Sequence, residues 1–142
     1  YQNHHKKEMF FPEQIELLQS SGSLGAGLQI LFALIIAHVL FDYPLQGDFL
    51  AKYKNRHYKS AEPTPPLLWA HCLTAHSLMH AGAVWAITGS FIIGLIELVL
   101  HWIIDFIKCE GITNIHSDQA LHILCRIGYV VAMALCCNSV EP

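Results

Sequence analysis

Four apolar segments of the chain each carry one pair of histidine or aspartate side chains spaced four residues apart. The segments are about residues 24–45, 66–88, 90–108 and 118–137. Each is close to the ~20 residues that a helix needs to cross a ~30 Å hydrocarbon core. Because lipid cannot hydrogen-bond an open backbone, segments of this kind are helical in a membrane. The pattern therefore predicts an all-α integral membrane bundle of four transmembrane helices.

The composition fits a membrane protein. Hydrophobic residues make up 54% of the 142 residues and charged residues only 13%, whereas soluble domains average about 25% charged residues. The formal net charge is −3, so the chain has no electrostatic attraction for nucleic acid and we expect no nucleic-acid partner. The five cysteines lack zinc-ribbon spacing, and their odd number argues against a disulfide framework.

The chain divides into an N-terminal tail, residues 1–23, and a transmembrane domain, residues 24–137. Within the tail, residues 9–19 have one apolar helical face, which predicts a short interfacial helix. The loop at residues 46–59 interleaves aromatic with basic side chains, a composition that suits contact with anionic lipid headgroups. A solvated loop with snorkelling lysines fits it equally well. The lipid bilayer is the partner that this organisation predicts.

The distribution of basic residues predicts the orientation in the membrane. The loops after the first and third segments hold five lysines and arginines, while the opposite side holds only Lys6 and Lys7. By the positive-inside rule, loops 46–65 and 109–117 face the cytoplasm and both termini lie outside.

The polar pairs inside the apolar segments are the candidate functional residues. They are His38 and Asp42, His76 and His80, His101 and Asp105, and Asp118 and His122. Residues four apart project from the same face of a helix. Imidazole and carboxylate are usual ligands of zinc, manganese and iron, and di-metal bundles project such ligands inward from four helices. The eight residues therefore predict a site for one or two divalent ions near the cytoplasmic face.

Spacing does not fix the depth of the pair on the second segment. The other three pairs place a carboxylate near the cytoplasmic end and an imidazole one turn deeper. Counted from Pro66, His76 and His80 lie ~15–21 Å along the helix, whereas His71 lies at a better depth but has no partner four residues away. Spacing alone leaves open whether His71 or His80 belongs to the site.

A metal site beside a basic loop predicts a metal-dependent hydrolase that acts on an anionic substrate at the cytoplasmic interface. Asp48 and Glu97 are the candidate general bases. Lys52 and Arg126 are the candidates for binding the anionic group. For Arg126 the alternative is an ion pair with Glu97 or Asp118.

Two other functions use the same polar residues. A transport protein would use them as a pathway for metal ions or protons. Because the outer halves of the first and fourth segments are nearly all apolar, transport would need a homo-oligomer. A structural or partner-binding protein would use them as a polar network between helices. One pair alone is typical of such a network, whereas four pairs favour a metal site.

Four short motifs carry a resemblance to a known family. They are AHVLFDYPLQGDFLAKYK at 37–54, AHSLMH at 75–80, HWIIDFIK at 101–108 and DQALH at 118–122. In these motifs the chain resembles the domain of unknown function 3307, a family of small bacterial and phage membrane proteins. By position, the residues that the resemblance marks are His38, Asp42, Gln46, Asp48, Lys52, His76, His80, His101, Asp105, Asp118, Gln119 and His122.

The resemblance favours His76 and His80 over His71. It implies a bacterial inner membrane as the location, and it names no activity. A looser likeness of the His-x-x-x-Asp pairs to membrane-bound metal-dependent hydrolases supports the hydrolase hypothesis by analogy alone.

Overall fold

The computed structural model describes residues 22–138, and every regular element in that range is a helix. The helices are α1 (Gly22–Asp42), α2 (Gly47–Tyr53), α3 (Leu68–Thr88), α4 (Phe91–Cys109) and α5 (Ile115–Asn138). The all-α class predicted from the sequence is therefore confirmed for the described residues. The interfacial helix predicted at residues 9–19 lies outside the described range.

The four long helices form a bundle in which successive long helices alternate in direction. α1 packs against α3 and α5, and α4 packs against the same two helices, so α1 and α4 occupy opposite corners. At one end of the bundle, Asp42 at the end of α1 contacts Gln119 near the start of α5. At the same end, Lys108 of α4 contacts Asp118 of α5. The short helix α2 packs against α3.

The α3–α4 hairpin has the tightest turn of the bundle. Gly89 ends α3 with a left-handed φ of 69°, a conformation that glycine adopts without steric cost, and its N–H donates to the Trp85 carbonyl oxygen at 2.8 Å. The Ser90 hydroxyl accepts from the Ile93 N–H at 3.3 Å and caps α4. A Cβ at Gly94 would lie 2.9 Å from the Trp85 Cβ, so the two helices touch closely there.

Two helix ends differ from the predicted segments for local reasons. α1 ends at Asp42 rather than at residue 45, because Pro44 disfavours helical backbone in the residue before it. α5 begins three residues before residue 118. The Asn114 side chain accepts from the N–H groups of His116 and Ser117 at 2.9 and 3.0 Å, which satisfies donors that a helix start leaves free.

The bundle is polar inside and apolar outside. The buried polar side chains are His38, Lys54, His76, Ser77, His80, Thr88, Glu97, His101, Asp105, Asp118, His122 and Arg126. Exposed large apolar side chains include Phe32 and Ile36 on α1, Leu78 and Trp85 on α3, Ile92, Leu95 and Val99 on α4, and Leu124, Ile127 and Val131 on α5. A water-soluble domain seldom exposes apolar surface so widely.

Within residues 22–138, two helices are long and apolar enough to cross a membrane. They are Leu24–Asp42 in α1 and Ile115–Cys136 in α5. Only 22% and 17% of these segments is buried within the protein, which distinguishes them from the core helices of a soluble domain. α3, which carries histidines, and α4, which carries a histidine and charged residues, do not have the apolar composition of a membrane span. The four-span arrangement therefore stays a prediction.

Candidate metal centre

The four predicted pairs meet inside the bundle, and we call their eight residues the central cluster. Its members are His38, Asp42, His76, His80, His101, Asp105, Asp118 and His122. Seven of them are buried, and the Asp42 side chain is 6% exposed. Nitrogen–oxygen distances of 4.0 Å or less connect all eight. The bundle thus converts four local pairs into one site.

Asp42 lies at the centre of the imidazoles. Its Oδ1 is 3.2 Å from His76 Nε2, 3.1 Å from His80 Nε2 and 4.0 Å from His101 Nε2. Its Oδ2 is 3.4 Å from His38 Nε2. Among the described residues, no lysine or arginine nitrogen lies within 4.0 Å of this carboxylate. Asp42 is therefore a nearly buried carboxylate that has four imidazoles, and no permanent cation, within 4.0 Å.

The other two aspartates of the cluster are paired with lysines. Lys54 Nζ donates to Asp105 Oδ2 at 2.5 Å. Lys108 Nζ donates to Asp105 Oδ1 at 3.1 Å and to Asp118 Oδ2 at 2.9 Å. Buried charges need such partners. The formal negative charge that is left without a cation is consequently that of Asp42.

Lys54 is a site residue that the sequence reasoning missed. It was grouped with the basic residues expected at lipid headgroups, yet it is only 5% exposed. In the amide orientation of Gln46 that suits its neighbours, the amide oxygen accepts from Lys54 Nζ at 2.5 Å. The amide nitrogen then donates to the Asp42 carbonyl oxygen at 3.1 Å. The one available signal was that Lys54 lies at the end of the first resemblance motif.

A second polar layer, formed by Glu97, Arg126 and Tyr129, lies one turn deeper in the bundle. Arg126 binds both carboxylate oxygens of Glu97, with its second nitrogen at 2.7 Å from Oε1. The Tyr129 hydroxyl donates to Glu97 Oε2 at 2.7 Å. The ion pair that the sequence offered as the alternative for Arg126 is therefore present. Glu97, the predicted general base, is engaged by these two partners and by His101.

This deeper layer orients two histidines of the central cluster in opposite ways. A carboxylate only accepts hydrogen bonds, so His101 donates Nδ1–H to Glu97 Oε1 at 3.1 Å. Neutral His101 then keeps the lone pair of Nε2 for the cluster. A guanidinium only donates, so His38 Nδ1 accepts from Arg126 at 3.4 Å. His38 Nε2 consequently carries the proton, 3.2 Å from Gln119 Oε1.

Several buried polar atoms of the cluster have no hydrogen-bond partner. They are Nε2 of His80, Nε2 of His101, Nδ1 of His76, both ring nitrogens of His122, and Asp118 Oδ1. His80 Nε2 is close to Asp42 but lacks hydrogen-bond geometry. An unsatisfied buried polar group costs about 1–3 kcal/mol. A divalent ion would bind imidazole nitrogens and carboxylate oxygens together, so the donor set fits a metal.

In the described part of the chain, three sets of donors are compact enough to hold an ion, with ligand atoms within 4.8 Å of one another. They are Asp42, His76, His80 and His101; His38, His101 and His122; and Asp42, Asp118 and His122. We call the first set the primary set. It combines three imidazoles with the carboxylate that lacks a cation, and zinc accepts such nitrogen and oxygen ligands.

Three other residues considered in the sequence analysis are not brought to the cluster. Lys52 Nζ donates to Asp48 Oδ2 at 3.0 Å on α2, where the Asp48 side chain is 93% exposed. His71 is exposed on α3. The pair that α3 contributes to the cluster is thus His76 and His80, because α3 begins about two turns before the level of the site. The catalytic role of Asp48 and the anion-binding role of Lys52 stay predictions.

The two loops predicted to be cytoplasmic lie at the same end of the bundle. Arg56 donates to Glu110 Oε2 at 2.5 Å, and His57 Nε2 is 3.2 Å from Glu110 Oε1. The hydrogen bond from Arg56 holds the pKa of the Glu110 carboxyl below its usual value. These exposed contacts connect the segment after α2 to the turn between α4 and α5.

The fold and the site together define the class of this protein: an all-helical bundle with a buried cluster of histidines and aspartates. The family described as "Protein of unknown function (DUF3307)" matches residues 30–141, and the chain belongs to this family. The family resemblance inferred from the four motifs is thereby confirmed. No curated protein and no solved structure matches the chain.

Proposed function

We propose that this protein spans the membrane with its four long helices and binds a divalent metal ion with the primary set, Asp42, His76, His80 and His101. We further propose that it is a metal-dependent hydrolase whose site opens towards the cytoplasm of a bacterial cell. The observation that carries the proposal is the group of buried, unpartnered imidazole nitrogens around a carboxylate without a cation.

The polarity of the bundle supports four spans. The polar residues that set α3 and α4 apart from a plain apolar span, such as His76, His80, Glu97 and Asp105, are buried. The outward side chains of both helices include large apolar residues, as do those of α1 and α5. Intramembrane ionisable residues characteristically face the bundle interior. The polar residues of α3 and α4 therefore lie where a four-span protein would place them.

The charges of the cluster support one cation at the primary set. Asp105 and Asp118 are paired with Lys54 and Lys108, whereas Asp42 has no such partner. One formal negative charge is therefore left when the imidazoles are neutral. A divalent ion makes the site positive, so an anionic substrate group would be attracted to it. When bound, such an ion supplies Lewis-acid polarisation and a water of lowered pKa.

The position of the cluster supports chemistry at one membrane face. The cluster lies near the end of the bundle that carries the loops of residues 46–65 and 109–117. Lys108, whose side chain is 22% exposed, contacts both Asp105 and Asp118 and marks the side nearest to solvent. An anionic group that approached from the cytoplasm would meet this ammonium first.

Transport is a weaker candidate for the isolated chain. At the level of the Glu97 layer and beyond it, the interior contains an apolar core of Leu34, Val84 and the Tyr129 ring, with Ile30, Ile87, Ile93, Leu100, Cys125 and Val130 against it. This packing offers no continuation of the polar site among the described residues. A purely structural network is also weaker, because buried groups that serve only to hold helices together are normally hydrogen-bonded.

Metal content of the detergent-purified protein tests the proposal. We expect the wild type to bind at least one equivalent of zinc, manganese or iron, as measured by mass spectrometry after reconstitution. His80→Ala should remove this ion, whereas His71→Ala, an exposed histidine on the same helix, should retain it. Helicity and a monodisperse elution profile control for folding. Absence of metal from the wild type after reconstitution would reject the proposal.

The hydrolase part of the proposal needs a separate assay. We expect the reconstituted protein, but not His80→Ala, to hydrolyse members of a panel of phosphate esters that includes phospholipids and nucleotides. Metal-dependent flux into proteoliposomes, without hydrolysis of any panel member, would favour transport instead.

A further inference from the structure

We infer that the central cluster has a second cation position, formed by Asp118 and His122 on α5, and that Asp42 bridges the two ions. The inference rests on the proposed metal site and extends it to a dinuclear centre. Its two positions would share one carboxylate, with the primary set on one side and α5 on the other.

The two oxygens of Asp42 face different parts of the cluster. Oδ1 faces α3, at 3.2 and 3.1 Å from His76 and His80. Oδ2 faces α5, where the Gln119 amide donates to it at 2.7 Å. Asp42, Asp118 and His122 can bring their ligand atoms within 4.8 Å of one another. A carboxylate with its oxygens directed to two sets of ligands is suited to bridge two ions.

Unpartnered atoms mark the second position independently of the primary set. Asp118 Oδ1 and both ring nitrogens of His122 are buried without a hydrogen bond. Asp118 is 0% and His122 1% exposed. His122 Nε2 is 3.7 Å from Asp118 Oδ1 and 3.7 Å from Asp105 Oδ1. These separations exceed a hydrogen bond, and a cation bound to both groups would give each a partner.

Neighbouring side chains hold Asp118 in the orientation that a ligand requires. Lys108 and Gln119 donate to Asp118 Oδ2 at 2.9 and 3.2 Å. These two donors leave Asp118 Oδ1 free to bind an ion. Glu97 orients a ligand of the primary set in a similar way, because it binds His101 Nδ1 and leaves Nε2 free. Groups that orient ligands in this way are a regular part of metal sites.

Charge predicts unequal affinity of the two ions. The three aspartates and two lysines of the site carry one net negative charge. The first divalent ion makes the net charge of the site positive, so the second ion must bind to a site that is already positive. We therefore expect the second ion to bind more weakly, and inorganic phosphate to increase its affinity.

Titration of the metal-stripped protein with Mn²⁺ tests the inference. We expect two equivalents in the wild type and in His116→Ala, which removes an exposed histidine from the same helix. His122→Ala should bind one equivalent. One equivalent in both wild type and His122→Ala would overturn the second position and leave the proposed function intact. No binding to the wild type would overturn both.

Electron paramagnetic resonance of the wild type tests the bridge without any substitution. At one equivalent of Mn²⁺ we expect the signal of an isolated ion, and at two equivalents an exchange-coupled pair. Two equivalents that remain magnetically independent would overturn bridging by Asp42. Because this measurement uses the wild type, it stays decisive if His122→Ala fails to fold.

Discussion

At the scale of single residues, hydrogen-bonding partners decide which imidazoles can bind a metal. His101 and His38 are both buried histidines from a pair spaced by four residues. Glu97 accepts the Nδ1–H of His101, whereas Arg126 donates to Nδ1 of His38. Neutral His101 can therefore present a lone pair through Nε2, and neutral His38 presents an N–H. His38 is thus the less suited of the two to ligate through Nε2.

Glu97→Gln should lower the affinity for the metal about 10–100-fold, the usual effect of removing a group that orients a ligand. The neutral amide can donate to His101 Nδ1 and so shift the ring proton to Nε2. Competition with a chelator of known affinity measures the change. Glu110→Gln, outside the cluster near the end of α4, should leave the affinity unchanged. Equal affinities in wild type and Glu97→Gln would contradict this account of His101.

Lys54 and Lys52 provide a second comparison between residues. Lys54→Met removes one of the two lysine partners of Asp105. It should lower the free energy of unfolding of the metal-free protein by up to about 3–5 kcal/mol, since Lys108 still pairs with Asp105. Lys52→Met removes an exposed pair that solvent screens and should leave the free energy of unfolding nearly unchanged. Denaturant or thermal unfolding in detergent measures both. Similar effects of the two substitutions would argue against burial of Lys54.

At the scale of elements, the α3–α4 hairpin aligns two of the four pairs. Its turn at Gly89 and the cap at Ser90 set where each helix begins and ends. The close contact at Gly94 then fixes the separation of the helices. As a result the His80 and His101 rings stack with centroids 3.8 Å apart. Small residues commonly allow such close approach between membrane helices.

Gly94→Ala should destabilise the hairpin, because the added Cβ would lie 2.9 Å from Trp85 Cβ and 3.1 Å from the Ala81 carbonyl oxygen. Overpacking of this kind costs about 1–3 kcal/mol. Gly82→Ala is the matched control, since its Cβ would meet nothing within 4 Å. In a helix interior it should be neutral or stabilising by up to about 1 kcal/mol. A lower melting temperature of Gly82→Ala than of Gly94→Ala would refute the expected order.

At the scale of the whole molecule, polarity is distributed opposite to that of a soluble domain. The eight buried apolar residues in the described range are outnumbered by twelve buried polar or charged ones. The exposed apolar side chains occur on all four long helices. Lipid tolerates an apolar exterior at no cost, whereas polar groups are then best satisfied by one another inside the bundle.

Cysteine labelling distinguishes four spans from two. In a background without native cysteines, Ser60→Cys reports the loop after α2, and Ser90→Cys reports the α3–α4 turn. Four spans predict that a membrane-impermeant thiol reagent labels these positions from opposite faces in oriented vesicles. If only α1 and α5 cross, both positions would be labelled from the same face. The positive-inside rule places Ser60→Cys on the cytoplasmic face.

The sequence by itself determined the helices and the polar face of each one. A spacing of four residues is a local property, so His101 and Asp105, or Asp118 and His122, had to share a helical face. Hydrophobic length likewise indicated the long helices, whose ends differ from the predicted ones by up to three residues, with the largest differences beside Pro44 and Asn114. These features depend on the near neighbours in the chain.

The tertiary structure decided which of these residues meet and which ring nitrogen of His38 and of His101 carries the proton. Spacing left open the choice between His80 and His71, which only the family resemblance favoured, and it did not distinguish Lys54 from Lys52. Both choices depend on the relative level of helices that are far apart in sequence. The roles of Glu97 and Arg126 depend on atoms brought together across α1, α4 and α5. Spacing cannot predict these contacts, because helix rotation and axial position are set by packing between segments.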